Sequence, residues 1–168
     1  MASTQASSGP TVGSRIESDE GVKGVEAYLA RDWDIWSRSL GMAVQPVLAQ
    51  LADELPALRA ALFCTADGLN LCTLGVAEGD VGRLAALTSS MFSVGAAHRQ
   101  AMTAGGAEGT TVNISTGADH TVLLAVELKG VGHFVLGAYA EDIQLGLLLV
   151  KARGVAERII QKLVIGTG

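Results

Sequence analysis

Cys64 and Cys72 flank a single Asp-Gly pair in FCTADGLNLCTLG, a spacing that could serve a thiol or half of a metal site. Asp-Gly between two β-rich runs is also a hairpin signal, because a type I′ turn needs positive φ at both central residues. A two-residue loop at Asp67-Gly68 pairs Thr65 with Asn70 and Cys64 with Leu71. The two thiols then point to opposite faces of the hairpin, where no disulfide can join them. The stretch holds no Cys-x-x-Cys and no His, Lys or Arg to lower a thiol pKa. Both cysteines therefore read as small, buried, apolar residues.

His98, His120 and His133 are the three histidines, the minimum for a simple zinc site. With Lys129-Gly130 as the turn of a second hairpin, His133 faces Val126 and His120 faces Tyr139. Along the ladder that is a separation of about 20 Å, too far for a shared ion. The serines of TSSMFS lack a Gly-x-Ser-x-Gly elbow and a paired His and acid. Twenty-one glycines form neither a dinucleotide nor a P-loop fingerprint. Asp80, Glu108, Glu127, Glu141 and Asp142 are scattered at element ends, where acids cap helices or face water. No catalytic constellation forms. The expectation is a protein that is not an enzyme and uses no cofactor or metal.

Hydrophobic residues make up 49% of the 168 residues and charged residues 17%, which suits burial on several faces plus surface kept for another chain. A net charge of −5 gives no electrostatic footprint for nucleic acid. The first residues have neither the basic nor the apolar region of a signal peptide, and the apolar run IQLGLLLV is too short for a membrane span. Two cysteines without a secretory signal fit a reducing cytoplasm. Residues 1–35 read as a flexible tail with a possible short helix, carrying Val25, Tyr28, Leu29 and Trp33 at helical spacing. Residues 36–168 read as one domain.

Within that domain Val47, Leu48, Leu51 and Leu55 mark a helix that Pro56 stops. Pro46 either opens this helix or kinks a longer one starting near Trp36. The Asp-Gly hairpin follows, then a long helix over Asp80–Ala104, a half-wet strand in TTVNIST and a hairpin from HTVLLAVEL to VGHFVLGAYA. A last helix has its stripe at Leu148, Ala152, Val155, Ile159 and Leu163. Strands joined by short turns are antiparallel. VLLAVEL and FVLGAYA do not alternate polar and apolar residues, so both their faces are covered. The fold class is α/β (α+β): a five-stranded, mostly antiparallel sheet between helices, three layers deep.

The long second helix carries the remaining candidates. Ala85, Ser89, Ser93 and Ala97 form a row of small side chains at i, i+4 spacing, suited to close approach of another helix. The stripe Leu84, Leu87, Met91, Val94 and His98 is left to pack on the chain's own sheet. Val112 and Ile114, on a strand that reads as a sheet edge, join the row as candidates for a homodimer interface. Arg83, Ser90, His98 and Arg99 are the polar candidates around it for receiving a partner.

LADELPALRAALFCTADGLNL, the small-residue helix, three strands and DIQLGLLLVKARGVAERI together resemble the roadblock/dynein light chain family, and within it the bacterial MglB-like branch. The likeness spans about Trp36–Val164 and is carried best by DGL at residues 67–69 and QLGLLLVKAR at residues 144–153. It implies a roadblock/profilin-like domain with sheet order 2-1-5-4-3, homodimerisation through the second helix and third strand, and no active site. MglB-like members bind a Ras-like small GTPase of the MglA type and activate it by rearranging its own catalytic groups. The resemblance also implies a possible sensor-kinase-like partner. The tail and the Trp33/Trp36 segment depart from the family core.

Overall fold

Periodicity in WDIWSRSLGMAVQPVLAQLADE becomes helix α1 (Trp33–Glu54), which seats Leu40, Val44, Val47, Leu48 and Leu51 in the core. The computed structural model describes residues 32–103 and 109–165, so the expected tail helix of Val25, Tyr28 and Leu29 lies outside the described residues. Pro46 neither opens nor ends α1; it lies inside the helix on the exposed side. Lacking an N–H, it leaves the carbonyl of Met42 without a helical donor, and exposed Met42 can give that carbonyl to water.

Strands β1 (Leu58–Thr65) and β2 (Asn70–Leu74) follow, then a 3-10 turn at Glu78–Asp80 and helix α2 (Val81–Met102). Strands β3 (Thr111–Thr116), β4 (Asp119–Leu128) and β5 (Gly132–Ala140) lead to helix α3 (Leu145–Ile165). The five strands form one sheet in the order β2-β1-β5-β4-β3. Every neighbouring pair is antiparallel, so the sheet is wholly rather than mostly so.

Helices cover both faces. On one, α1 and α3 bury Leu48, Leu51, Leu148 and Ile159 against Phe63, Val122 and Leu136. Phe63 and Phe134 stack there with ring centroids 5.2 Å apart. On the other, Ala85 and Phe92 of α2 meet Leu62, Cys64, Leu123 and Val135. Strands β4 and β5, both in the interior of the sheet, thus bury side chains of both parities, as their unbroken apolar text requires. Glu54, at the end of α1, accepts from Lys151 at 3.0 Å and from Arg158 at 2.7 Å, tying α1 to α3. These two hydrogen-bonded cations hold its carboxyl below the usual range.

Both Gly-containing turns differ from the two-residue loops read in the sequence. At the first, the amide of Gly68 donates to the Thr65 carbonyl and that of Thr65 to Leu69, leaving Ala66, Asp67 and Gly68 as the loop. Gly68 alone takes positive φ, at 92°, as in a type I turn followed by a left-handed residue. Cys64 therefore faces Asn70, not Leu71, and a bulge then brings Phe63 opposite Cys72. The longer loop and the bulge offset each other, so the thiols still lie on opposite faces, in separate cores. Lys129-Gly130 also belongs to a three-residue loop, closed by Leu128 opposite Gly132. His133 consequently faces Glu127, not Val126, and His120 faces Ala140, not Tyr139. The two-residue turn is Gly117-Ala118, where Gly117 carries the positive φ that a type II′ turn places first.

Candidate interaction surface

Helix α2 touches all five strands of the sheet and is held at three places. Near its start, the Ser89 hydroxyl donates to the carbonyl of Ala66 in the hairpin loop. Ala85, Thr88 and Phe92 are buried beneath it. Farther on, Gly95 lies against Val112 so closely that a β-carbon would collide with a valine methyl. Near the end, Arg99 Nη1 donates to Thr110 Oγ1 at 3.2 Å.

This seating separates the small-residue row. Ala85 and Ser89 are buried against the chain's own sheet, while Ser93 and Ala97 are exposed. The reason is helical geometry: each i, i+4 step advances about 40° around the axis, so a row of four winds from sheet to solvent. The apolar stripe expected on the sheet lies on the helix flank instead. Leu84 and Met91 pack against the core, but Leu87 is 48% and Val94 71% exposed.

The outer face of α2 consequently brings together Arg83, Leu87, Ser90, Val94 and His98, all exposed. Ser90 spends its hydroxyl on the Ala86 carbonyl, at 2.8 Å. Arg99, placed beside the other three polar candidates by the sequence, turns inward to Thr110 and is half-buried. Strand β3 continues this surface: Val112 packs under α2, and Ile114, on the same face, is 41% exposed. Arg153 of α3 lines the same groove along the β3 edge as Met91, Val94 and His98. Exposed Leu87 and Val94 were hidden in the sequence by a periodicity that fits either side of a helix. Arg153 gave no signal, because it joins the groove only through tertiary packing.

Other chemistry-bearing side chains lie apart from this surface. His120 Nδ1 is 2.7 Å from Ser115 Oγ, which also accepts from Asn113 at 2.9 Å, on the opposite face of the β3 edge. Glu141 accepts from Arg59 at 2.8 Å and from Tyr139 at 3.0 Å. Among the described residues no three His, Cys, Asp or Glu side chains gather to hold a metal ion, and no helix is long and apolar enough to cross a membrane.

No protein-family model matches this chain, and no curated protein matches it. Solved structures do. The Roadblock/LC7 domain from Streptomyces avermitilis aligns with a TM-score of 0.60 at 18% identity, over 69% of this chain and 93% of that one. At such identity the likeness is one of fold: this chain has the roadblock/LC7 fold. The same likeness extends to MglB proteins. Myxococcus xanthus MglB aligns at a TM-score of 0.60 and 15% identity over 72% of this chain and 87% of its own. The gliding protein MglB from Thermus thermophilus does so at 0.60 and 17%, over 73% and 90%.

Proposed function

We propose that this chain is a homodimeric, non-enzymatic regulator of a Ras-like small GTPase of the MglA type. The observation that carries the proposal is the exposed line Arg83, Leu87, Ser90, Val94 and His98 on a fold shared with MglB. Apolar side chains left in water on the outermost helix mark a partner surface, and the polar residues beside them supply specificity. Regulation is positional. Gripping the switch loops sets the GTPase's own water-orienting residue and arginine near the γ-phosphate, where phosphoryl transfer depends on placement and electrostatics. Neither Arg83 nor Arg99 enters the active site; Arg99 is engaged with Thr110.

The two sheet edges support self-pairing through β3. At the other edge, β2 is short and bulged, and Gln45 of α1 donates to its Thr73 carbonyl at 3.2 Å. Strand β3 has no proline, charged residue or bulge to block a second strand. Ser93 and Ala97 are exposed but do not line the groove beside β3, where Met91, Val94 and His98 accompany Val112 and Ile114; Ala85 and Ser89 are buried. Single-turnover GTP hydrolysis by a Ras-like GTPase of the MglA type from the same organism, with and without this protein, tests the proposal. Faster hydrolysis that survives Arg83→Ala supports it. A complex with unchanged rate makes the protein a tether, and a large rate loss in Arg83→Ala with binding intact means an arginine supplied in trans. Absence of any complex overturns the GTPase assignment.

A further inference from the structure

On the face of the sheet away from α2, three parts of the chain meet around a cavity of about 370 Å3. The first turns of α1 supply Trp36 and Leu40, the β4–β5 turn supplies Leu128 and Val131, and the last turn of α3 supplies Leu163. Leu40 and Leu128 belong to the core shared by α1, α3 and the sheet, and Trp36, Val131 and Leu163 pack against it. The walls are therefore held by the fold itself, as in most small-molecule pockets.

Polar groups at this cavity are few. Ser39 lines it, but the Ser39 hydroxyl donates to the Ile35 carbonyl at 2.8 Å. Lys129 and Lys162 line it too, and both are exposed. Among the described residues none of the lining side chains is acidic. Neither lysine forms an ion pair with another described residue, whereas Arg59, Lys151 and Arg158 each meet a carboxylate. Lys162 offsets the dipole at the end of α3, which accounts for one cation. It does not account for a second, brought to the same cavity from the β4–β5 turn. On a chain of net charge −5 this pair of cations is a local reversal of sign. An apolar cavity with two unpaired ammonium groups is the complement of an apolar body with one anionic head. Flexible four-carbon stems let both ammonium groups close on that head while the body stays dry. The volume lies near the small end of the range of about 300–1,000 Å3 for ligand pockets, which suits one short chain rather than a two-chain lipid.

We propose that this cavity binds a medium-chain carboxylate, with its chain against Trp36 and Leu128 and its head at Lys129 and Lys162. The site lies apart from the outer face of α2 and does not rest on the GTPase reading. Trp36 supplies the readout, because Trp33 is the only other tryptophan and Trp33→Phe leaves Trp36 alone. Decanoate, kept below its micelle concentration, is expected to bind the full chain saturably and one to one by calorimetry, and to shift Trp36 emission in Trp33→Phe. Replacing both lysines, Lys129→Gln with Lys162→Gln, should weaken binding about tenfold, the effect of two exposed charge contacts, with the fold retained. Decanol keeps the chain and lacks the charge; it should bind the native protein about tenfold more weakly than decanoate and not distinguish it from the double variant. Absence of saturable decanoate binding overturns the site. Decanol binding as tightly as decanoate, or unchanged decanoate affinity in the double variant, overturns recognition of an anionic head. A protein that ignores monomeric decanoate yet sediments with vesicles of phosphatidylcholine and phosphatidylglycerol would make this face a membrane contact, and would overturn the free ligand.

Discussion

Cys64 is fully buried beneath α2, and Cys72 is buried on the α1–α3 side of the sheet. Burial pushes both thiols up to about 12, with Asp67 adding to the effect at Cys64. A thiol in the unfolded chain ionises near ~8.5. Between roughly pH 8.5 and 12 the unfolded state therefore sheds protons that the folded state keeps. Stability from this source is complete below that window and declines as pH rises through it. The urea midpoint is expected to fall from pH 8 to 10.5, and to fall less steeply in Cys72→Ala. At pH 8 a thiol reagent should label either cysteine only as fast as the chain unfolds. Cys64→Ala should cost on the order of 1 kcal/mol, as small core truncations do. Ser89 belongs at this scale too: its buried hydroxyl ties α2 to the Ala66 carbonyl. Ser89→Ala should cost about 1 kcal/mol in denaturant unfolding.

Element by element, the order of helices and strands was legible because periodicity is a local signal, and the α3 stripe at Leu148, Ala152, Val155 and Ile159 is buried as its spacing demands. Strand registers were less legible. Asp67-Gly68 and Lys129-Gly130 each recruit a third loop residue, and the bulge after Asn70 depends on packing that dipeptides do not encode. The seating of α2 was the largest gap. Its small row winds around the axis, and only contact with Val112 at Gly95 fixes which part faces the sheet. Gly95→Ala would ordinarily favour a helix by up to about 1 kcal/mol. Here it should destabilise, since the stiff branched Val112 occupies the space, and Val112→Ala should recover much of the loss in a double-mutant cycle. The Glu54 clamp was equally invisible, because Lys151 and Arg158 reach it only once α1 and α3 pack. Its lowered pKa adds stability that is complete above the unfolded carboxylate range and lost as pH falls through the folded value. Glu54→Gln should therefore lower Tm at pH 7, and the gap from the native chain should close toward pH 3.

For the molecule from Asp34 onward, the asymmetry of the two sheet edges ties assembly to stability. A regular, unblocked edge is a hazard for a chain that stays alone, whereas Gln45 of α1 bonds a carbonyl of the β2 edge from within the chain. If a second copy closes β3, folded chains are stabilised by mass action and the melting temperature rises with protein concentration. Asn113→Pro isolates this effect. The amide it removes points out of the sheet, since the residues bonded to β4 are Val112 and Ile114, and an edge strand tolerates proline on its open side. Asn113→Pro should melt at one temperature across a hundredfold range of concentration, and sediment as a monomer with its secondary structure retained. Ile114→Asp serves as a check that leaves the backbone unchanged: it places like charges at the seam and should weaken association without moving the low-concentration melting temperature. A melting temperature that is independent of concentration in the native chain would mean that β3 is left open in solution, and that the outer face of α2 meets its partner without a twin beside it.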